Sequence, residues 1–235
     1  MINRDLLKQY AGDIGVELDD NALSRFVVYE GELVGTNRKY NLTAITESDE
    51  VLVKHFVDSL MLLKYFDLDY GMSVIDVGSG AGFPGIPLLI AKNNKLKIVF
   101  LDSTKKKTRF IENALESCGL EAPVVCGRAE DFAHETDYRE RFDIATARAV
   151  APLNILAEYC LPYVKVGGYF IALKGAKDEV PDALGAIEAL GGELESNVSY
   201  KLPNGDARSL VIVKKISHTS PKYPRVNSKI TKSPL

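Results

Sequence analysis

Glycines alternate along Asp76-Val-Gly78-Ser-Gly80-Ala-Gly82-Phe83-Pro84-Gly85, directly after a short β-branched run. Glycine at every second position lets a backbone turn with positive φ and leaves bare main chain for a ligand to approach. Pro84 suits the first turn of a following helix. Such a loop at the carboxyl end of a strand is where open α/β sheets bind ligands. The dinucleotide fingerprint would begin at Gly78 and require glycine at 83, where Phe83 stands instead. What is present is acid-x-G-x-G-x-G, led by Asp76. A second acid, Asp102, ends the next apolar run, IVFLDS. A carboxylate at that distance can accept both hydroxyls of a ribose, in NAD enzymes as elsewhere, so Asp102 points to a nucleoside without naming the cofactor.

The acid-led glycine pattern resembles motif I of the class I methyltransferases, which bind S-adenosylmethionine. That molecule has no pyrophosphate, so a phosphate cradle is not what its loop must supply. The loop must pass close to the amino-acid end and the sulfonium, and Asp76 can balance cationic groups there, directly or through the loop amides. Ala129-Glu130-Asp131-Phe132 offers polar groups that could meet the adenine amino group. Motif I by itself leaves three readings open: an rRNA methyltransferase, a small-molecule methyltransferase with a helical lid, and a non-catalytic RNA-binding assembly factor.

These residues need elements to hold them. Residues 1–70 read as helical: Leu6, Leu7, Tyr10, Ala11 and Ile14 recur at helical spacing, as do Leu23, Phe26, Val27, Glu30 and Leu33 with one polar exception. Asp20 or Asn21 can cap the second helix, and a polar segment runs from Gly35 to Thr43. A third amphipathic helix covers 51–63. From residue 73 short β-branched runs alternate with helical stretches. Strands are expected at 73–77, 96–101, 123–126, 142–145, 169–173, 193–202 and 208–216, and helices near 85–92, 105–118, 152–160 and 178–190. Strand–helix alternation implies parallel crossovers. Pro203-Asn204-Gly205-Asp206 joins the last two strands directly, so that pair should be antiparallel. From His218 the chain shows no periodicity and reads as a loop or disordered arm.

Length and composition fit this picture. The chain has 235 residues, 46% hydrophobic and 26% charged, an ordinary globular composition that excludes a collagen or a disordered chain. No apolar run approaches the roughly 20 residues of a membrane helix, and the start lacks an apolar signal region. Three scattered cysteines, Cys118, Cys126 and Cys160, make no disulfide framework, so a cytoplasmic setting is expected. Cys126 falls in a strand and reads as core. The histidines His55, His134 and His218 lie far apart and no cysteine pair has zinc spacing, so no metal is expected. Beyond Asp206 there is no acid but Arg208, Lys214, Lys215, Lys222, Arg225, Lys229 and Lys232, a charge of +7. The rest holds 22 basic against 32 acidic residues. A basic end on an acidic body hints at a polyanion partner.

Further stretches are more specific: Asn41-Leu-Thr43, His55-Phe-Val-Asp58-Ser-Leu60, GAGFPGIPLLIA, LDSTKKKTRF, RAEDF, FDIATARAVAPL, GGYFIALKG and Pro221-Lys-Tyr-Pro-Arg225. Together they resemble the bacterial RsmG family, formerly called glucose-inhibited division protein B, from about residue 35 to the end. The resemblance implies an α/β fold of the class I, Rossmann-like methyltransferase type. That means a seven-stranded, mostly parallel sheet with helices on both faces, its last strand pair antiparallel, and an N-terminal helical extension. Domains would be 1–70, a core over 71–217 and a basic arm over 218–235. It further implies a monomeric enzyme moving a methyl group from S-adenosylmethionine to guanine N7 of 16S ribosomal RNA (guanosine 527 in the 530 loop), on free RNA or the small ribosomal subunit, with no membrane or metal. The cofactor-binding residues carried over are Asp76, Gly78, Gly80, Gly82, Phe83, Asp102, Ala129, Glu130 and Arg148, the last on the cofactor side and the candidate for catalytic positioning. Candidate RNA contacts are Arg38, Lys39, Asn41, His55, Lys105, Lys106, Arg109 and Arg225. Guanine N7 is a lone pair with no proton to lose, so no general base is required, and the target should be splayed from its stack. Family tails often continue with more prolines and glycines, where this chain has VNSKITKSPL.

Overall fold

The computed structural model describes residues 1–40, 42–45 and 47–235, without the side chains of 38–40. Helix α1 (Arg4–Asp13) starts where the Asn3 side chain accepts from the Asp5 and Leu6 amides. Helix α2 (Asp20–Tyr40) is capped by Asp19, one residue earlier than the sequence suggests, through a 2.7 Å bond from the Ala22 amide. It runs on into the polar segment as far as Tyr40. Leu33 stays fully buried on its inner face, and the Asn37 amide pins the end by bonding both the carbonyl and the amide of Thr43. The polar exception, Glu30, is buried and accepts from the Ser48 hydroxyl at 2.6 Å.

The expected third helix is three pieces: α3 (Ser48–Val51), a π-helical turn over Leu52–Val57, and α4 (Asp58–Tyr65). The wider turn gathers Lys54, His55 and Asp58 on the side that faces the sheet's carboxyl edge, and such turns recur at functional positions. Phe56 packs 5.0 Å from Phe26, 5.5 Å from Tyr29 and 6.2 Å from Phe83, ring centroid to ring centroid. This aromatic cluster welds the N-terminal helices to the glycine loop.

Then come β1 (Ser73–Val77), α5 (Gly85–Ala91), β2 (Lys97–Asp102), α6 (Lys105–Ser117), β3 (Val124–Cys126), α7 (Ala129–Phe132), β4 (Phe142–Arg148), α8 (Leu153–Cys160), β5 (Val164–Lys174), α9 (Val180–Ala189), β6 (Gly192–Lys201), β7 (Ala207–Lys215) and α10 (Asn227–Lys232). The described strands form one sheet in the order β3-β2-β1-β4-β5-β7-β6. Strands β1 to β5 pair in parallel, and β7 runs antiparallel between β5 and β6. Both β4 and β5 exceed their expected length, which brings Arg148 and Lys174 to the carboxyl edge.

Alternate residues of the central strands feed two cores. Val74, Ile98, Phe100, Ile144 and Ile171 pack with the N-terminal helices, α5 and α6, while Ile75, Leu101, Ala145, Phe170 and Ala172 pack with α8 and α9. Burial on both faces explains why these strands read as continuous apolar runs.

Two expectations need correction. Cys126 is exposed, because β3 is an edge strand and that residue ends it. The segment from His218 is not a loose arm: Thr219 and Tyr223 are buried and Ile230 is fully so. It is held by cross-chain bonds that leave no periodic trace, among them Arg139 donating to the carbonyls of Thr219 at 2.8 Å and Tyr223 at 2.9 Å.

Candidate functional site

Strand order reverses between β2 and β4 on either side of β1, and a crevice opens there at the carboxyl edge. The glycine loop forms its floor. Gly78 and Ser79 donate to the Leu101 carbonyl at 2.7 and 3.1 Å, the amides of Gly82 and Phe83 turn back onto Ser79, and the Gly80 amide donates to Asp102 Oδ2 at 3.0 Å. Gly78 (φ 70°) would need a Cβ 2.7 Å from a Val150 methyl, so both conformation and contact require glycine there. Gly85 leaves no room for a Cβ against the Phe100 ring, which lets α5 begin hard against β2.

Asp76 organises this loop from behind. Its Oδ2 accepts from the Gly85 amide at 3.0 Å, while Oδ1 is buried without a hydrogen-bond partner. Burial pushes its carboxyl from the usual 3.8 up to about 7, against the opposing pull of the Gly85 amide and Arg148.

A pocket of about 440 Å³ opens above the loop. Gly78, Asp102, Ala129 and Glu130, four of the expected cofactor residues, line it together with Leu101, Val150, Ile155 and Tyr159. Asp76, Gly80, Gly82 and Phe83 support it from within the loop without lining it. Glu130 Oε1 is buried with no hydrogen-bond partner, and its nearest cation is Arg128, 3.8 Å away. Asp102 accepts from Gly80 and Thr104, one bond per oxygen, leaving acceptor capacity on each. An apolar slot with an acceptor at Asp102 and an orphaned acceptor at Glu130 matches a nucleoside, whose hydroxyl and amino groups are donors. The residues present fit an adenosyl cofactor.

Arg148 lies outside that pocket. Its guanidinium stacks on Phe83, 4.4 Å from the ring centroid, and faces the π-helical turn. Nη1 donates to the Lys54 carbonyl at 3.1 Å and to Asp58 Oδ2 at 3.3 Å, and Nη2 to His55 Nδ1 at 3.1 Å. His55 Nδ1 also lies 3.1 Å from the Lys54 carbonyl, and Nε2 lies 2.9 Å from the Thr43 hydroxyl. Burial, helped by Arg148, drops the His55 pKa to about 3, and the ring is neutral. Expected as an RNA contact, His55 is instead buried with both nitrogens engaged. Asp58 Oδ1 accepts from the Tyr200 hydroxyl at 3.0 Å. Burial raises its carboxyl, with Arg148 the largest opposing influence.

Around this network lies a second hollow of about 290 Å³, lined by Lys54, His55, Asp58, Arg148, Lys174 and Arg208 among others. No sequence signal marks Tyr200, and Arg208 stands out only as one of the cations of the acid-free end. Lys174 does carry one, as a lysine closing the otherwise apolar FIALK.

Lys105, Lys106 and Arg109 share a third, wide groove between α6 and α2 with Glu32, Gly35 and Thr36. Lys107 turns away toward Asp102, 3.8 Å distant. Arg38 and Lys39 stand in the last turn of α2, but their side chains and all of Asn41 lie outside the described residues. Arg225 does not face outward as an RNA contact would. Its amide, Nε and Nη2 all donate to the buried Glu158 carboxylate.

Comparison with known proteins gives this arrangement a context. The family model described as rRNA small subunit methyltransferase G (GidB) matches residues 22–201. The chain belongs to that family. Ribosomal RNA small subunit methyltransferase G of Alkaliphilus oremlandii is 44% identical over 236 residues, covering 99% of this chain and 98% of that protein. The protein of the same name from a Thermoanaerobacter species is 46% identical over 235 residues, covering 98% of each. Among solved structures, a SAM-dependent methyltransferase from Aquifex aeolicus aligns with a TM-score of 0.58 at 17% identity, over 75% of this chain and 97% of that one. That likeness is one of fold, class I and Rossmann-like. Membership of this methyltransferase family makes S-adenosylmethionine the cofactor.

Proposed function

We infer that the protein transfers a methyl group from S-adenosylmethionine to N7 of a guanine in 16S ribosomal RNA, guanosine 527 of the 530 loop in the family's terms. When bound, the cofactor supplies an electrophilic methyl on a sulfonium. Asp102 would hold its ribose hydroxyls and Glu130 its adenine amino group. The hollow ringed by Lys54, Arg148, Lys174 and Arg208 suits the splayed nucleotide and its phosphates. One observation carries the choice of N7. His55, its pKa lowered to about 3, is a weak base, and the Asp58 carboxylate is tied to Arg148 and Tyr200. A nucleophile that must lose a proton would have to draw on one of these two committed groups, whereas guanine N7 has no proton to lose. Catalysis is then alignment of an in-line displacement, which can supply on the order of 7–11 kcal/mol. The phosphates of the RNA also account for the basic groove between α2 and α6.

The test uses S-adenosylmethionine labelled in its methyl group, with naked 16S rRNA and with small ribosomal subunits lacking the modification, followed by nucleoside analysis. Label in 7-methylguanosine at a single site of the 530 loop is expected. Label on an exocyclic amine, on another RNA or only on small metabolites overturns the reading.

A further inference from the structure

The C-terminal arm ends inside the cofactor site. Asn227 and Thr231 of α10 line the nucleoside pocket along with Asp102, Glu130 and Tyr159. Nothing in the loop-and-acid pattern of the sequence points to them. The arm is fixed in place from three directions. Arg225 grips Glu158 through its amide and Nε at 2.8 Å each and Nη2 at 2.6 Å. His134 Nε2 donates to the Pro224 carbonyl at 2.9 Å, and Arg139 holds the carbonyls of Thr219 and Tyr223. Ile230 closes the apolar contact beneath α10. A helix of six residues without a side-chain N-cap would not hold its place by itself, so these anchors set its position.

One contact orients Asn227. The Tyr159 hydroxyl donates to its Oδ1 at 2.5 Å. With that oxygen turned to Tyr159, the Nδ2 amide, a pair of donors, is the other polar end of Asn227. Asp102 and Glu130 are the pocket's carboxylate acceptors, Arg128 on the same wall lies 3.8 Å from Glu130, and Ser103 and Thr231 add hydroxyls that can donate or accept. The carboxylates suit hydroxyl and amino donors, whereas the ring nitrogens of a purine are acceptors and need a donor, which the oriented Asn227 amide can supply.

We propose that Asn227 is a binding residue for the adenine of the cofactor, its Nδ2 donating to a ring nitrogen, and that Tyr159 is the positioning residue that orients that amide. The inference rests on the adenosyl site described above and adds the arm to it. The basic tail is thereby a wall of the donor site, with Arg225 as its latch on Glu158.

The experiment is calorimetric titration of S-adenosylhomocysteine into the wild-type protein, Asn227→Ala, Tyr159→Phe and the double variant, with thermal melting of each ligand-free protein. Asn227→Ala should weaken binding about tenfold, the loss of one hydrogen bond to the ligand, while its ligand-free melting falls no further than that of Tyr159→Phe, which breaks the same Tyr159–Asn227 bond. Tyr159→Phe should weaken it less, and the double variant should bind no worse than Asn227→Ala alone, because both changes remove one interaction. Asn227→Ala binding within about twofold of wild type overturns the proposal, as do strictly additive losses in the double variant. Should Tyr159→Phe fail to fold, the Asn227→Ala comparison still decides. Absence of binding to the wild-type protein is a different outcome, which sinks the adenosyl assignment of the pocket itself.

Discussion

At Arg148 a single guanidinium serves two loops. It stacks on Phe83 of the glycine loop and ties down the π-helical turn through the Lys54 carbonyl, His55 and Asp58. Removing it strands a buried carboxylate. Arg148→Ala should therefore cost about 3 kcal/mol in urea unfolding, and methyl transfer should fall further than affinity for S-adenosylhomocysteine does. A wild-type urea midpoint for the variant contradicts this. Asp76 makes a separate prediction in pH. Its folded pKa, about 7, lies above the usual 3.8, so the folded state keeps a proton that the unfolded chain has already released. The stability it contributes is present below the lower value and is lost as pH rises through the higher one. The stability advantage of wild type over Asp76→Asn in the ligand-free protein should shrink from pH 4 to pH 7 and then level off. A difference that grows across this range contradicts the assignment.

At the scale of elements, the sheet is legible in the sequence because both of its faces are buried. Apolar runs and the turn at Pro203–Asp206 mark where each strand lies, with β4 and β5 longer than their apolar runs, and the glycine spacing marks the loop. What the sequence hides is held by single long-range bonds rather than by periodicity. Asn37 on Thr43 prolongs α2, and Arg139 and Arg225 seat the tail. His55 and Arg225 stand out as chemically useful residues, but no sequence pattern shows that Arg148 and Glu158 engage them. The start of α6 gives the prediction proper to this scale. Cations are misplaced at a helix N-terminus, where the dipole favours anions, so a role in binding phosphate accounts for Lys105 and Arg109. Changing both to glutamate should weaken binding to the small subunit and flatten its salt dependence by about 0.7–0.9 in log–log slope for each phosphate no longer neutralised. Binding of S-adenosylhomocysteine should not change. An unaltered salt slope removes this face from the RNA interface.

For the molecule as a whole, the division of labour follows from the topology. Helices α1 to α6 pack on one face of the sheet and α8 and α9 on the other, and the crevice between β2 and β4 opens where the strand order reverses. The N-terminal helices bring the basic hollow to the carboxyl edge, α8 and the arm complete the nucleoside pocket, and Phe83 with Arg148 joins the two. Everything depends on that pocket holding an adenosyl group through Asp102. The direct measurement is the dissociation constant of S-adenosylhomocysteine for wild type and Asp102→Asn, whose amide keeps the shape but loses the charge-assisted bonds to the ribose. The account predicts saturable binding at one site per chain, weakened about tenfold or more in the variant. Equal affinity in the two proteins, or no uptake by wild type, would contradict it.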